Sequence, residues 1–259
     1  MSAESTSTDT DLFVVLGSAH PQRLEILWQM VEYLQFHGET VTLCVHEKEK
    51  DLPDSPAKTR LLQKGLEITH WQIDPENAQF TTPPSVAREQ DTLILLGHGT
   101  RYLADTLETL SAWLPGSGYA LQRIMTWVDG QRYADSADAK RWYECCFHFS
   151  DLVIVDEFKN LPLSWLKEFR NEFSTKCYPC IIENTKKGRL HDLYLVMDNQ
   201  VRRISQVFEE SDDLYFDEED EIEEDEVLEE KESLNQSATD PFFERSIDGR
   251  RSKPVPELE

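Results

Sequence analysis

Residues 12–45 constrain the fold most, because they combine two strand patterns with a helical pattern between them. Five consecutive apolar residues, 12–16, precede Gly17 and predict a strand that is buried on both faces. The next segment repeats apolar side chains at helical spacing and stops near Gly38. The β-branched run 41–45 predicts a second strand. Together these segments predict a βαβ unit with a right-handed crossover.

The turn between the first strand and the helix is where such a unit would bind a phosphate. A phosphate-binding loop has the pattern G-x-x-x-x-G-K-[ST]. Counted from Gly17, this chain has Gln22 at the second Gly and Arg23 at the Lys. Leu24 stands where the Mg²⁺-binding hydroxyl belongs. The sequence therefore predicts the backbone setting of a phosphate site without most of its chemistry.

Apolar runs and helical patterns alternate along the chain to about residue 208. Further strands are predicted at residues 92–96, 121–128, 151–155, 179–183 and 193–197. Helices are predicted at residues 103–114, 137–149 and 163–173. Residues 72–90 contain three prolines without periodicity and predict a loop. This alternation predicts an α/β domain, three-layered and doubly wound around a mostly parallel sheet, over residues 12–208.

The chain ends are predicted to lie outside this domain. Residues 1–11 are predicted to be a flexible N-terminus. The formal net charge is -24, and residues 209–232 hold sixteen acidic side chains and one lysine. Such a composition does not offset chain entropy, so residues 209–259 are predicted to be an acidic disordered tail. A chain that ends near residue 210 is expected to keep its melting temperature.

Composition also bears on partners and location. The acidity argues against nucleic acid, and no apolar run is long enough to span a membrane. The acidic run either keeps the chain soluble or contacts a basic surface of a protein partner. The pair Phe242 and Phe243 is either an exposed anchor for such a partner or incidental. Five cysteines and the absence of a signal-peptide pattern in residues 1–11 favour a cytoplasmic location.

Five stretches, taken in order, resemble the CobW/HypB/UreG class of P-loop GTPases, most closely CobW-type proteins. They are the phosphate-loop region 17–27, the second strand and its ending 41–47, the switch-like segment 93–105, the Val-Asp-Gly strand 126–130 and the guanine-reading region 150–161. The resemblance covers about residues 12–208 and implies a P-loop NTPase fold, a GTP site and a metallochaperone-related role. The residues it places at the nucleotide rim are Gly17, Gln22, Arg23, Gly99 and Asp129.

The departures from the family pattern fall on the functional positions. Besides Arg23 and Leu24, Leu96 stands at the switch Glu, and residues 156–159 replace Asn-Lys-x-Asp. Lys159 offers only donors where the family's Asp accepts from guanine. The family's Cys-rich metal motif is absent. The leading interpretation is a degenerate domain, a pseudoenzyme that binds a partner protein or a weakly held anion or nucleotide. The enzyme alternative is a GTP-binding metallochaperone that tolerates Arg23.

A third interpretation is a metal-binding module. His20, His46 and His98 each follow a predicted strand, so parallel strands would bring them to one edge. Imidazole and carboxylate groups suit Zn²⁺, with Glu47 and Asp129 as candidate hydrogen-bond acceptors for the ligating rings. The alternative is that these are ordinary polar residues of loops.

Overall fold

The computed structural model of the chain describes residues 9–89, 91–209 and 240–258. These residues form an eight-stranded sheet with helices on both faces. The strands are β1 (Thr10–Gly17), β2 (Thr40–His46), β3 (Glu67–Asp74), β4 (Gln79–Thr82), β5 (Asp91–Leu96), β6 (Tyr119–Asp129), β7 (Leu152–Asp156) and β8 (Ile181–Asn184). The helices are α1 (Pro21–Phe36), α2 (Pro56–Gln63), α3 (Leu103–Trp113), α4 (Gly130–Asp135), α5 (Ala137–Phe149), α6 (Trp165–Thr175) and α7 (Leu193–Met197), and the one-turn 3₁₀ helix Glu47–Glu49 follows β2.

The sheet has the order β4-β3-β2-β5-β1-β6-β7-β8, so β1 is central. Neighbouring strands are parallel except β3 and β4, which are antiparallel. The loops that follow β1, β2, β5 and β6 therefore meet at one edge of the sheet, the carboxyl edge. The starts of the same strands form the opposite, amino edge.

Strand β1 separates the two halves of the core. Leu12, Val14 and Leu16 pack in the cluster that includes side chains of α3, α5 and α6. Phe13 and Val15 alternate with them and pack in the cluster that includes α1 and α2. Burial on both faces follows from the continuous apolar run. The predicted three-layer, mostly parallel α/β fold is confirmed.

Two predicted elements are wrong. Residues 72–90 are not a plain loop, because β3 runs to Asp74 and forms a hairpin with β4. The turn is held by Asp74, whose carboxylate accepts from the Glu76 N–H at 3.0 Å and the Asn77 side chain at 2.6 Å. Residues 193–197 form helix α7 instead of a strand, since Asp192 caps the N–H of Leu195 at 3.1 Å. In both cases a side chain that organises the local backbone decides the structure, not the apolar pattern.

The predicted disorder of residues 209–259 is wrong for residues 240–258, which pack on the domain. Phe242 is 1% exposed, and the ring of Phe243 stacks on Phe149 with centroids 5.2 Å apart. The carboxylate of Asp240 accepts from His148 Nε2 at 2.8 Å and from Ser205 Oγ at 2.6 Å. The aromatic pair is therefore packed on the domain and is not an exposed anchor. Local composition could not predict this, because the apolar surface that receives the pair lies on a helix distant in sequence.

Ion pairs and a backbone contact extend this docking. Arg251 pairs with both Asp105 and Glu108 of α3, and Arg245 Nη2 lies 2.8 Å from Glu108 Oε2. The N–H of Leu258 donates to the carbonyl of Thr100 at 2.8 Å. The segment thus ends beside the loop after β5. The rest of the predicted acidic tail, residues 210–239, lies outside the described residues, as do residues 1–8 of the predicted flexible N-terminus.

Within the described ranges, no helix combines the length and apolar character needed to cross a membrane. All five cysteines are free thiols, and all but Cys177 are buried.

The docking of residues 240–258 predicts a large effect of Phe242→Ala on stability. Truncating this buried ring should lower the free energy of unfolding by about 3–5 kcal/mol, as for other buried phenylalanines. Ile247 belongs to the same segment and is fully exposed, so Ile247→Ala should change it by less than about 0.5 kcal/mol. Urea denaturation of both variants and the parent chain measures the difference. Equal, small effects would contradict the docking.

Candidate functional site

The guanidinium of Arg23 lies at the carboxyl edge, among the loops after β1, β2 and β5. Arg23 is only 4% exposed. Its Nη1 atom donates to the carbonyls of Gly17 at 2.7 Å and Gly97 at 3.1 Å, and Nη2 lies 3.5 Å from Glu49 Oε2. Burial lowers the pKa of this guanidinium, while Glu49 acts in the opposite direction. The donors predicted to meet a phosphate are therefore directed at groups of the same chain.

Glu49 supplies the negative charge of this site, and the sequence analysis missed it. Its Oε1 atom accepts from the Gly99 N–H at 2.9 Å and lies 3.5 Å from His98 Nδ1. Glu47, the predicted acceptor, instead pairs with Lys50 at the surface, 3.2 Å away. The alternation of acidic and basic residues after β2 was the available signal. This alternation does not reveal whether the 3₁₀ turn directs Glu47 or Glu49 toward Arg23.

Two glycines allow the loops to approach each other. Gly17 has φ 129°, a conformation that favours glycine, and a Cβ there would lie 2.3 Å from the carbonyl oxygen of Trp127. A Cβ at Gly99 would lie 2.3 Å from the Ala19 nitrogen. The predicted rim residues Gly17 and Gly99 are thus brought close to Arg23. Their role in the structure is close backbone packing.

His20 occupies the start of α1, where the phosphate was predicted. Its Nδ1 atom accepts from the Gln22 N–H at 3.2 Å, which makes His20 the N-cap of the helix. The imidazole also stacks on the Trp127 ring with centroids 5.3 Å apart. Because a side chain of the chain itself caps this helix end, one of the donors that an anion would use is already satisfied.

His46 and His98 do come together, with ring centroids 4.7 Å apart. Each Nδ1 atom accepts from backbone N–H groups of its own loop, those of Lys48 for His46 and of Thr100 for His98. Burial lowers the pKa of His46 to about 4, and the neighbouring His98 contributes to this. Burial also lowers the pKa of His98, against the effect of Glu49. The pair is therefore held in its neutral form near neutral pH.

The three-histidine metal site is not formed in the described part of the chain. No group of three or more His, Cys, Asp or Glu side chains among these residues is placed to hold a metal ion. His46 packs edge-on against the Trp71 ring, centroids 4.6 Å apart, and His20 serves as a helix cap. Aromatic packing and capping account for these imidazoles instead.

Asp129, the last predicted rim residue, caps a helix as well. Its carboxylate accepts from the Arg132 N–H at 3.0 Å, at the start of α4. Its own N–H donates to the Tyr143 hydroxyl at 3.0 Å, and this hydroxyl donates to Ser18 Oγ at 2.9 Å. Burial raises the pKa of Tyr143, so the phenol remains a donor. These two hydrogen bonds of the Tyr143 hydroxyl join the end of β6 to the loop after β1.

The region that resembles the guanine-reading motif forms no acceptor for guanine. Asp156 is buried, and its Oδ1 atom accepts from the Glu157 N–H at 2.8 Å and from the Thr185 hydroxyl. Lys159, at the position of the base-reading carboxylate, is exposed. The buried carboxylate joins β7 to the segment after β8 and is not presented to a base.

The space left beside Arg23 is small. A cavity of about 240 Å³ is lined by His20, Arg23, Leu24, Lys48 and Glu49, among others. Ligand pockets usually measure roughly 300–1,000 Å³. Leu24 packs in the core and supplies no hydroxyl for Mg²⁺. Because the cation of this site is bound internally and a carboxylate lies beside it, the residues present do not fit a Mg²⁺–nucleotide complex.

Comparisons with known proteins give matches at the level of structure alone. No family model matches the chain, and no curated protein sequence matches it. Among solved structures, the hydrogenase maturation factor HypB from Archaeoglobus fulgidus is similar, with 8% identity and a TM-score of 0.41, over 69% of this chain and 82% of that one.

Two further GTPase structures are similar. The signal recognition particle receptor FtsY from Elizabethkingia anophelis, solved with GDP, has 10% identity and a TM-score of 0.43, over 81% of this chain and 67% of that one. The Zn(II)-bound YjiA GTPase from E. coli has 9% identity and a TM-score of 0.41, over 74% of this chain and 62% of that one. The GDP and the zinc belong to those proteins.

The buried histidine pair predicts how stability depends on pH. The pKa of His46 is about 4 in the folded chain and about 6.5 in the unfolded chain. The unfolded state therefore binds a proton first as the pH falls, and stability is lost between these two values. His46→Asn keeps an acceptor for the Lys48 N–H but does not titrate. The stability advantage of the parent over this variant should shrink from pH ~7 to ~4, as measured by urea denaturation. Parallel pH profiles would contradict the assignment.

Proposed function

We propose that this chain is a degenerate P-loop NTPase-like domain that works by binding a partner protein and does not hydrolyse a nucleotide. The observation that carries the proposal is the internal binding of Arg23 by the carbonyls of Gly17 and Gly97 and by Glu49. A phosphate loop presents N–H donors to an anion. Here the corresponding backbone presents carbonyls to a cation, and the cation belongs to the chain.

The energetics of the Arg23 contacts also disfavour a weakly held anion. Drawing a buried guanidinium away from its partners costs about 3–5 kcal/mol, because an uncompensated charge is left behind. A phosphate entering the cavity would also meet the carboxylate of Glu49, which is 17% exposed. A like charge at such a site opposes the binding of an anion. The loss of the Arg23 partners and the repulsion by Glu49 both oppose phosphate binding.

The described residues also lack the other groups that GTP hydrolysis requires, a ligand for Mg²⁺ and an acceptor for guanine. Leu24 provides no ligand for Mg²⁺, which in P-loop enzymes neutralises the charge that develops on the transferred phosphoryl group. Lys159 provides no acceptor for guanine. The GTP-binding metallochaperone alternative requires both functions together with a metal-ligand set. The described residues supply none of the three, so binding to a protein is the function that fits best.

Nucleotide titration tests the absence of hydrolysis. With Mg²⁺ present, GTP and ATP at about 1 mM should produce no saturable heat in calorimetry and no rise in melting temperature, since a ligand stabilises only the state that binds it. Phosphate release should stay at the background rate. Turnover that disappears in Arg23→Ala would overturn the proposal.

Glu49→Gln tests whether Glu49 takes the place of an anion. The variant keeps an acceptor for the Gly99 N–H and removes the negative charge beside Arg23. Pyrophosphate affinity should rise about tenfold, because relief from one like charge is worth on the order of 1–2 kcal/mol. Glu47→Gln is the matched control, since Glu47 pairs with Lys50 at the surface. Calorimetry that gives the same pyrophosphate affinity for both variants would refute this role.

A further inference from the structure

We propose that the amino edge of the sheet binds a peptide segment of a partner protein that carries basic and apolar side chains. The inference rests on the proposed function and names the chemistry of the partner. It concerns the edge opposite Arg23, where the strands begin. Three adjoining depressions lie there: one lined by carboxylates and two lined by apolar side chains as well.

The first depression, named here the acidic cavity, lies at the starts of β1, β2 and β5. Its volume is about 510 Å³. Two threonines and five carboxylate residues line it: Asp9, Asp11, Glu39, Glu89 and Asp91. Among the described residues no lysine or arginine lines it, so these charges face one another without a cation. Such a concentration of one charge creates a strong attraction for a cationic group.

Asp91 gives the cavity an incompletely bonded group. It is 2% exposed; its Oδ2 atom accepts from the Thr42 hydroxyl, but Oδ1 has no hydrogen-bond partner in the described structure. Buried carboxylate oxygens are normally hydrogen-bonded. A second carboxylate of the cavity also bonds to a neutral group, since the half-buried Glu39 accepts from the Thr92 hydroxyl at 2.6 Å. A cationic donor that entered the cavity would supply the hydrogen bond that Asp91 Oδ1 lacks.

Apolar surface lies on both sides of the acidic cavity. A groove of about 510 Å³ shares Asp9 with it and is lined by Leu114, Leu121 and Phe208, among others. Val201 of this groove is 44% exposed. On the other side, a groove of about 280 Å³ shares Asp11 and Glu39 with the cavity.

This smaller groove is lined by Tyr33, Met197 and Tyr194, which is 75% exposed. The order along the edge is therefore apolar, acidic, apolar. This arrangement selects a segment with cationic side chains between apolar ones.

Charge complementarity favours a basic peptide over other occupants. Nucleic acid would be repelled by the carboxylates. A metal ion is disfavoured, because no three of these side chains are placed to hold one in the described structure. Glu209 lines the larger groove and begins the run that carries sixteen acidic residues and one lysine. The formal net charge of -24 favours a basic partner over an acidic one.

The test uses the full-length chain and a fluorescein-labelled synthetic peptide of alternating arginine and leucine. Fluorescence anisotropy compares two triple variants that lose the same charge. One carries Asp9→Asn, Asp11→Asn and Glu89→Gln in the acidic cavity, where all three residues are exposed. The matched control carries Glu32→Gln, Glu76→Gln and Glu168→Gln, which are exposed and do not line this cavity. Attraction to the acidic run is the same in both.

The cavity variant should bind the peptide at least about fivefold more weakly than the parent, as expected for the loss of three partly exposed ion pairs. The control variant should stay within about twofold. A peptide of alternating arginine and serine should bind more weakly than the leucine peptide, since it cannot fill the apolar grooves. Equal weakening in both variants, or equal binding of both peptides, would overturn the proposal.

Ca²⁺ binding that is abolished in the cavity variant would identify an ion site instead and would also overturn the proposal. None of these outcomes bears on nucleotide hydrolysis. Failure of the peptide proposal is therefore distinguishable from failure of the proposed function, which nucleotide titration decides.

Discussion

The buried cation of Arg23 is the interaction on which the carboxyl edge depends. A guanidinium removed from water must find acceptors, and three loops supply them through Gly17, Gly97 and Glu49. Glu49 then accepts from the Gly99 N–H, which fixes the loop that carries His98. One charge thus orders the loops after β1, β2 and β5. The edge where ligands of α/β sheets usually bind becomes part of the packed structure.

The two edges of the sheet differ in how their charged side chains are used. At the carboxyl edge, Arg23, His20 and Asp129 all bond within the chain. At the amino edge, carboxylates surround an open cavity, and Asp91 retains an oxygen without a donor. Buried polar groups are normally paired, so an unpaired one indicates either strain or a missing partner. Arg23 Nε and Asp156 Oδ2 at the carboxyl edge are unpaired in the described structure as well, so the unpaired oxygen alone does not distinguish the edges. The open cavity lined by five carboxylate residues is the main physical reason for placing binding at the amino edge.

The sequence predicted what local patterns determine and failed where distant groups decide. The strand before Gly17 and the bounds of helix α5 followed from the pattern of apolar residues. The identity of Arg23 was evident, but a sequence does not state whether a long side chain faces a ligand or its own backbone. Glu47 and Glu49 could not be told apart for the same reason. Phe242 was assigned to a disordered tail because its slot on α5 exists only after folding.

The docked segment, residues 240–258, is also connected to the amino edge. Asp240 bonds to Ser205 at 2.6 Å, and Glu209 pairs with Arg203, which in turn pairs with the buried Asp151. Residues 203–209 therefore hold Asp240 through Ser205 and line the larger apolar groove through Arg203 and Glu209. Docking of residues 240–258 and the shape of the proposed binding edge thus depend on the same short stretch of chain.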